Sequence, residues 1–481
     1  MNTTAIAALL LAALTPLTPL PQTPETTHAD VADYLERRFE ETRVPGAAYS
    51  IVDLDGDSRT YAYGHDGDGD PVDLATPFLW GSVAKPFTAT AVMTLVEDGR
   101  LGLDDPVTAH VPGFTLADPD RSDRITVRHL LEQTSGIPEG TGITDRTEHR
   151  DDPYGDAVAD LAGVEPFAEP GETFEYASAN YLVAGAVVEA AAGMPYEDYL
   201  REAVLDPLGM TGAVTTEADA ADVPRGHAVA FGRPVPIATG FDQTGPSYGY
   251  LGGSIEDLTA FAVDQLGDSA VLASVSVALM QTGAAHVNDT VDYGLGWRVD
   301  TRNADLGTTT VWHTGAAPGY SAGVLLLPEL GRAVVVVQNS YGHFQESDLI
   351  GTMLGAVRML AGGVPAEPES DPLYPSLLIG LCALLLAAIL VIATTFRRIN
   401  KGRARKPVLT VAGAALWTLA ALAVAYAAFV LAPGLAPSRA AFFGIAPDVA
   451  WLLTAVGAAA LAVAAARLWA AAVRLRRRPV D

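Results

Sequence analysis

The last 108 residues contain three long apolar stretches, which constrain the fold more than any other feature of this 481-residue chain. They cover residues 376–396, 407–433 and 449–473, and only Arg467 interrupts the third. Each approaches or exceeds the roughly 20 residues that a helix needs to cross the hydrocarbon core of a membrane. A buried helix of a globular domain would be shorter and would carry polar residues on one face. The sequence therefore predicts three transmembrane helices, with the lipid bilayer as a partner.

Charge divides the chain at the same place. Residues 1–373 contain 18 Lys and Arg against 55 Asp and Glu, a net charge of −37, whereas the remainder carries a net charge of +10. Such an acidic first part excludes sequence-independent binding of nucleic acid, because nothing would neutralise the phosphates. The hydrophobic content of 49% excludes an intrinsically disordered chain. A single cysteine, Cys382, excludes an intramolecular disulfide and a cysteine-based zinc site.

The basic residues of the tail predict its orientation. Six Lys and Arg fill residues 397–406 and four Arg fill residues 474–478, whereas the connection 434–447 contains only Arg439. The positive-inside rule places both basic segments, including the tail 474–481, in the cytoplasm. Everything before residue 376 is then extracytoplasmic, in a multi-pass protein of the cell membrane. Residues 5–14 form a ten-residue apolar run followed by prolines, which predicts a signal peptide over residues 1–26, although its first residues lack Lys and Arg.

Between signal and tail we expect one globular domain, residues 27–361, joined to the membrane by an extended linker, residues 362–375. Its patterns predict helices over 31–41, 82–98 and 348–360, a hairpin of strands 47–53 and 59–63, and strands over 308–312, 323–327 and 333–338. Terminal helices with antiparallel strands, and a helical insert between them, indicate an α+β fold rather than a doubly wound sheet.

Two patterns imitate functional sites. Residues 66–70 (DGDGD) resemble the start of a calcium loop, but Pro71 and Pro77 occupy the positions that require glycine and a carboxylate. We interpret them as an acidic turn and expect no metal or cofactor. Residues 319–323 (GYSAG) match the G-x-S-x-G nucleophile motif, which requires a helix after the serine. A strand pattern follows instead, so Ser321 is expected in a hairpin.

The stronger candidate nucleophile is Ser82, in the segment SVAKPF at residues 82–87. Residues three apart share a helix face, so the Lys85 ammonium can reach the Ser82 hydroxyl. Pro86 is tolerated only near a helix start, where free N–H groups favour a developing negative charge. Lys85 is also the only lysine in the first 373 residues. A desolvated lysine can lose its proton near neutral pH and act as a base, which arginine cannot.

This segment resembles the nucleophile motif of the serine β-lactamase-related hydrolases, which include class C β-lactamases, D-Ala-D-Ala carboxypeptidases and esterases. Three more segments resemble the same family in the same order: residues 100–107 and 129–137, the tyrosine motif at residues 174–181, and the third motif, WHTG, at residues 312–315. The resemblance implies a β-lactamase/transpeptidase-like fold, an antiparallel sheet flanked by helices with a helical subdomain.

The resemblance also implies roles for individual residues. Ser82 would be acylated, and Lys85 and Tyr176 would share the proton transfers. The backbone N–H groups of Ser82 and Ala316 would form the oxyanion hole. His313 and Thr314, followed by Gly315, would line the strand edge that pairs with substrate. Ser178 departs from the family pattern, which usually has Asn there, and this weakens the expectation of efficient amide or lactam cleavage.

These expectations combine into a membrane-anchored extracytoplasmic serine hydrolase that acts on a small-molecule or peptide substrate. The layout is similar to membrane-anchored prodrug-activating peptidases of nonribosomal-peptide pathways, of which the colibactin-maturing enzyme is the known type. That resemblance implies an amidase or peptidase acting on D-amino-acid-containing or N-acylated peptides, in prodrug cleavage or cell-wall processing. A carboxylesterase of the same fold is an alternative. A different class is a sensor of β-lactams or peptides that is acylated once and signals through a partner. No sequence feature specifies an oligomeric state.

Overall fold

The computed structural model describes residues 27–56, 58–366, 372–400, 407–435 and 439–476. The predicted signal peptide, residues 1–26, lies outside the described residues. So do residues 367–371 of the predicted linker, the basic loop 401–406 and the last residues of the basic tail, 477–481.

The N-terminal part of the chain forms a helix, a hairpin and the helix that follows the candidate nucleophile. Its elements are α1 (His28–Thr42), β1 (Gly46–Asp53), β2 (Arg59–Gly64), β3 (Phe78–Leu79), a 3₁₀ turn (Gly81–Val83) and α2 (Ala84–Glu97). The Thr27 hydroxyl and the Asp30 carboxylate cap the first turn of α1 reciprocally. Strands β1 and β2 pair with Ala47 opposite Tyr63, so the predicted hairpin is confirmed.

A mainly helical segment follows and forms the subdomain on one side of the molecule. It contains α3 (Val107–His110), α4 (Pro119–Ser122), α5 (Val127–Leu131), α6 (Pro153–Ala159), α7 (Ser178–Ala192), α8 (Tyr196–Leu200) and α9 (Glu217–Ala220). The chain then forms β4 (Gly226–Ala230), β5 (Arg233–Ile237), β6 (Gly252–Gly253), α10 (Ile255–Leu266) and α11 (Ser274–Met280). This is the helical insert that the sequence predicts between the terminal elements.

The last part of the domain completes the main sheet. It contains β7 (Ala285–Asn288), β8 (Val291–Tyr293), β9 (Arg298–Asp300), β10 (Thr310–Ala317), β11 (Tyr320–Leu327), β12 (Arg332–Gln338), β13 (Ser340–Tyr341) and α12 (Glu346–Leu360). Eight strands form an antiparallel sheet in the order β2-β1-β12-β11-β10-β9-β8-β7. Strands β13, β4 and β5 form a smaller sheet in which β13 pairs parallel to β4.

Two strand boundaries correct the sequence prediction. The strand expected over 308–312 extends to Ala317, and the strand expected over 323–327 begins at Tyr320. Glycines and Pro318 indicated a break there. Instead β10 and β11 pair continuously from Val311–Leu326 to Ala317–Tyr320 and turn over only two residues. The third motif, residues 312–315, therefore lies within a strand.

The sheet is covered on both faces, which explains its continuous apolar strands. In β12, Val334 and Val336 pack with α1 and α12, whereas Val335 and Val337 belong to the larger core shared with α2 and α10. Side chains alternate between faces along a strand, so each residue from 333 to 337 belongs to one core or the other.

The C-terminal part consists of α13 (Leu373–Asn400), α14 (Pro407–Tyr426, continued by a π turn at Ala427–Leu431), α15 (Arg439–Ile445) and α16 (Pro447–Arg476). Three of these helices, with apolar spans of 27, 25 and 30 residues, are long and apolar enough to cross a membrane. Helix α13 begins within the predicted linker, which is therefore shorter than expected. The short helix α15 was not predicted. The α+β class and the three apolar helices are confirmed.

Candidate active site

Ser82 lies where the 3₁₀ turn Gly81–Val83 leads into α2. The predicted helix 82–98 is thus divided into a tight turn carrying the serine and an α-helix that starts two residues later. This position leaves the serine partly exposed. Its hydroxyl is at the positive end of the α2 dipole, which favours a developing negative charge.

Lys85 is fully buried, with an exposed fraction of 0%. Its ammonium nitrogen lies 2.9 Å from the Ser82 Oγ, 3.2 Å from the Ser178 Oγ and 2.8 Å from the carbonyl oxygen of Tyr248. These three acceptors match the three N–H groups of an ammonium. A neutral amine could instead accept the Ser82 proton and donate to the other two oxygens, so the contacts can be satisfied in both protonation states.

Two glycines bring the serine close to strand β10. Gly81 has φ = +55°, which favours glycine, and a Cβ there would overlap the backbone nitrogen of Ala316. A Cβ on Gly315 would in turn lie 2.6 Å from the Ser82 nitrogen. The expected oxyanion-hole amides, those of Ser82 and Ala316, therefore belong to two backbones in tight contact.

Strand β10 is paired on both sides over its first half, but its second half, beside Ser82, is paired on one side only. Strand β9 pairs with Thr310, Val311 and Trp312, whereas β11 pairs with β10 as far as Ala317. Among the described residues, no strand covers the β9 side of residues 313–317. This half-strand therefore offers the unpaired edge that the sequence predicted for substrate.

Tyr176 contacts Lys85 through its ring. The ammonium lies 4.8 Å from the ring centroid, and the Arg298 guanidinium lies 5.4 Å from the same ring. Within the described residues, no hydrogen bond joins the Tyr176 hydroxyl to Ser82 or Lys85. Tyr176 thus lies beside the predicted nucleophile and base. Lys85, which is within hydrogen-bond distance of the Ser82 hydroxyl, is the direct partner of the serine.

His313 is buried behind the tyrosines. Its Nδ1 lies 2.7 Å from the Thr314 carbonyl oxygen and its Nε2 lies 3.2 Å from the Tyr293 hydroxyl. One neutral tautomer satisfies both contacts, donating from Nδ1 and accepting at Nε2. Burial lowers the pKa of His313 well below its ordinary value, and the charges of Lys85 and Arg298 act in the same direction. The imidazole is therefore a neutral support for Tyr293.

Several groups near the site have no motif in the sequence. They are the Tyr248 carbonyl, Arg298, and two acidic residues, Glu139 and Asp145. Desolvation raises the pKa of Glu139, against the opposing influence of Lys85 and the Ser178 N–H. Burial also raises the pKa of Asp145, which accepts a hydrogen bond from Tyr250. Three of these residues lie in loops and Arg298 lies in β9, and they come together only through the fold, so spacing along the chain could not have indicated them.

The two imitations behave as the sequence indicated. Ser321 lies in β11 directly after the hairpin turn and donates a hydrogen bond of 3.0 Å to the Ser340 carbonyl oxygen. Its exposed fraction is 4%. In the acidic turn, the Asp66 carboxylate accepts the N–H groups of Asp68 and Asp70, so it closes its own loop.

Comparison with known proteins identifies the family. The Beta-lactamase family model matches residues 31–353. The chain belongs to the Beta-lactamase family. Penicillin-binding protein 4 of Amycolatopsis lactamdurans is 30% identical over 371 residues, which cover 72% of this chain and 96% of that protein.

Two solved structures extend the comparison of this Beta-lactamase-family chain. A structure of SurE with D-Leu is 28% identical, has a TM-score of 0.56 and covers 71% of this chain and 78% of that one. EstCE1, described as a hydrolase with promiscuous acyltransferase activity, is 25% identical, has a TM-score of 0.56 and covers 64% of this chain and 92% of that one. The expected β-lactamase/transpeptidase-like fold is confirmed, whereas no comparison singles out the colibactin-related branch.

Proposed function

We propose that this protein is a membrane-anchored serine hydrolase in which Ser82 is acylated by its substrate. The observation that carries the proposal is the buried Lys85 ammonium 2.9 Å from the Ser82 Oγ, next to an unpaired strand edge. A hydroxyl, a potential base and backbone donors are the parts that acyl transfer requires.

In the proposed reaction, the Lys85 amine takes the Ser82 proton while Oγ attacks the carbonyl carbon of the substrate. The N–H groups of Ser82 and Ala316 stabilise the oxyanion. The bond to the leaving group breaks, and the leaving group takes up the proton from Lys85. Water then hydrolyses the acyl-Ser82 ester, and Lys85 and Tyr176 share the proton transfers of both halves.

The proposed substrate is an amide of a D-amino-acid-containing or N-acylated peptide. The similarity to SurE, whose structure was determined with D-Leu, supports a site for D-residues. A carboxylesterase is the second candidate, and one observation favours it: Ser178, not a carboxamide, lies 3.2 Å from Lys85. An ester has a better leaving group and needs less help from that position.

The test uses a fluorophosphonate probe on the full chain in lipid nanodiscs. We expect labelling of the native protein and none of Ser82→Ala, whose hydrolysis should fall about 10³-fold or more. Ser321→Ala is the matched control and should retain both properties. Labelling that followed Ser321 would refute the proposed site. Product formation beyond one equivalent separates an enzyme from a sensor that is acylated once.

The catalytic domain is proposed to be extracytoplasmic. The basic segments 397–406 and 474–478 flank the apolar helices, and the positive-inside rule places such segments in the cytoplasm. A reporter that is active only outside the cell should function when fused at Pro365 or Pro437. It should be inactive at Lys401 or after Arg478. Activity at Lys401 would reverse the proposed orientation.

A further inference from the structure

The catalytic domain is joined to the membrane helices by a buried carboxylate. Asp448, in the first turn of α16, has an exposed fraction of 0%. Its Oδ2 accepts the backbone N–H of Phe231 at 2.7 Å and the hydroxyl of Tyr374, and its Oδ1 accepts its own helix N–H at Val449. The Tyr374 hydroxyl also accepts the N–H of Gly232 at 3.2 Å. The tip of the β4–β5 hairpin is therefore held by groups from α13 and α16.

That hairpin tip is unusual in conformation and in exposure. Phe231 and Gly232 form a two-residue turn with φ values of +51° and +67°. Such a turn favours Asn-Gly, and a bulky residue with positive φ is strained. Phe231 is nevertheless there, and 53% of it is exposed beside the ends of the apolar helices.

The cleft is the space beside Ser82 along the unpaired edge of β10, and its rim at this end of the domain is residues 315–318. Strand β10 passes from Gly315, which touches Ser82, to Pro318 at the turn, about 10 Å at 3.3 Å per residue. A Cβ on Gly444 of α15 would lie 3.9 Å from the Pro318 Cβ, an ordinary contact. Ile445 of α15 packs on the same apolar cluster as Ala316. The helix next to the membrane ends thus borders the strand that supplies the proposed oxyanion hole.

We propose that the domain is docked with this rim at the lipid surface, so that its substrates are amphiphiles held in the bilayer by a hydrocarbon chain. The chain of such a substrate would stay in the lipid beside Phe231 and α15, while its acyl carbonyl reaches Ser82. Asp448 and Tyr374 are positioning residues that fix the height and tilt of the cleft. This proposal rests on the hydrolase function proposed above and names its substrate class.

The test compares two fluorogenic esters with the same leaving group, a soluble acetyl ester and a palmitoyl ester incorporated into nanodiscs with the full chain. We expect Asp448→Asn and Tyr374→Phe each to lower hydrolysis of the palmitoyl ester about tenfold and hydrolysis of the acetyl ester less than twofold. Because both groups share one Oδ2, the double variant should be no worse than the more severe single variant. Parallel losses on both esters, or no loss, would refute the proposal.

A second experiment, independent of activity, measures how close residue 231 lies to the lipid headgroups. A solvatochromic probe is attached to Phe231→Cys or to Leu54→Cys, each in a Cys382→Ala background. Leu54 follows β1 at the opposite end of the sheet, where it contacts Gly331. Lipids with a headgroup spin label should quench the probe at position 231 and not at position 54. Equal quenching would refute the docking, whereas failure of Ser82-dependent acetyl ester hydrolysis would refute the hydrolase function and leave the depth result standing.

Discussion

Two buried charges, Lys85 in the catalytic domain and Asp448 in the membrane part, show how differently the two regions use a rare residue. Lys85 is the only lysine before residue 374, and Asp448 is one of two acidic residues after it. Both have an exposed fraction of 0%. Lys85 contacts two hydroxyls whose protons can move, whereas Asp448 accepts backbone N–H groups and a tyrosine hydroxyl. The first arrangement suits proton transfer and the second suits a fixed joint.

The surroundings of the two charges are also opposite. In the catalytic domain most large apolar side chains are buried in two cores. In the described membrane helices many large side chains are exposed, among them Leu386, Leu416 and Trp469, while the buried residues are mostly alanines. Small residues allow close helix packing in lipid, where burial of large side chains brings no hydrophobic gain. A rare charge in either environment is costly unless it is fully paired, so each marks a place of function.

The strongest test of the comparison replaces Lys85. Lys85→Arg keeps a cation but cannot supply a neutral amine at ordinary pH. We expect kcat/KM for a soluble ester to fall about 10³-fold, within the range for losing a general base. Lys85→Met should be equally inactive.

The matched variant is Asp448→Asn, which should keep turnover of the same soluble ester within about twofold. If Lys85→Arg stayed active, Lys85 would be a structural cation like those of ordinary ion pairs, and its contrast with Asp448 would disappear. If Asp448→Asn hydrolysed the soluble ester as slowly as Lys85→Arg, Asp448 would be needed for the reaction itself, and its assignment as a fixed joint would be wrong.

The sequence predicted a role for Lys85 and none for Asp448. Lys85 could be predicted because S-x-x-K requires neighbours only three residues apart, and such spacing is retained on a helix. Asp448 was visible as an isolated acid near an apolar stretch, but its partner Phe231 is 217 residues away. No local pattern indicates that distance. The helices, the hairpin and the sheet class follow local periodicity, and were predictable for that reason.

Other parts of the site depended on tertiary packing. The residue pattern ended the strand at Trp312, whereas the family resemblance placed His313 and Thr314 on a strand edge. Residues 313–317 do lie within β10. Glycines usually break strands, but Gly315 here allows the Ser82 backbone to approach. The burial of His313 was also hidden, since it results from Tyr293 and Tyr176 packing over it. The Tyr248 carbonyl that completes the Lys85 contacts carries no side-chain signature at all.

A smaller effect is expected in substrate choice. His313 is neutral and buried, and Glu139 and Asp145 lie within electrostatic range of Lys85, so the site disfavours a substrate carboxylate. We expect neutral esters or neutral N-acyl-D-aminoacyl amides to exceed benzylpenicillin in kcat/KM by at least about tenfold, or 1.4 kcal/mol. Steady-state kinetics at pH 7.5 measure the ratio.

Variants at His313 and Arg298 test which cation affects the ratio of kcat/KM between neutral substrates and benzylpenicillin. His313→Lys should narrow it by improving the penicillin, and His313→Gln, which stays neutral, should leave it unchanged. Arg298 is packed against the rings of Tyr176 and Trp312 at 5.4 Å. Efficient penicillin hydrolysis that is lost in Arg298→Gln would show that this guanidinium binds the carboxylate, which would contradict the expected preference for neutral substrates.

The smallest expected effect is on stability in acid, and it follows from the burial of His313. An exposed histidine would become charged near pH 6 and could then attract a carboxylate. Because burial lowers the pKa of His313 well below its ordinary value, acidification to pH 6 should leave the ratio of kcat/KM between neutral substrates and benzylpenicillin unchanged.

The same burial affects stability. In the unfolded chain the His313 imidazole binds a proton near pH 6.5, and in the folded chain it does not, so the free energy of unfolding falls as the pH drops below 6.5. The slope is at most about 1.4 kcal/mol per pH unit for one group. His313→Gln should flatten the dependence of the thermal midpoint between pH 6.5 and 5, and the exposed His286→Gln should not. An unchanged slope in His313→Gln would show that the imidazole gains its proton in the folded state, as an ordinary surface histidine does.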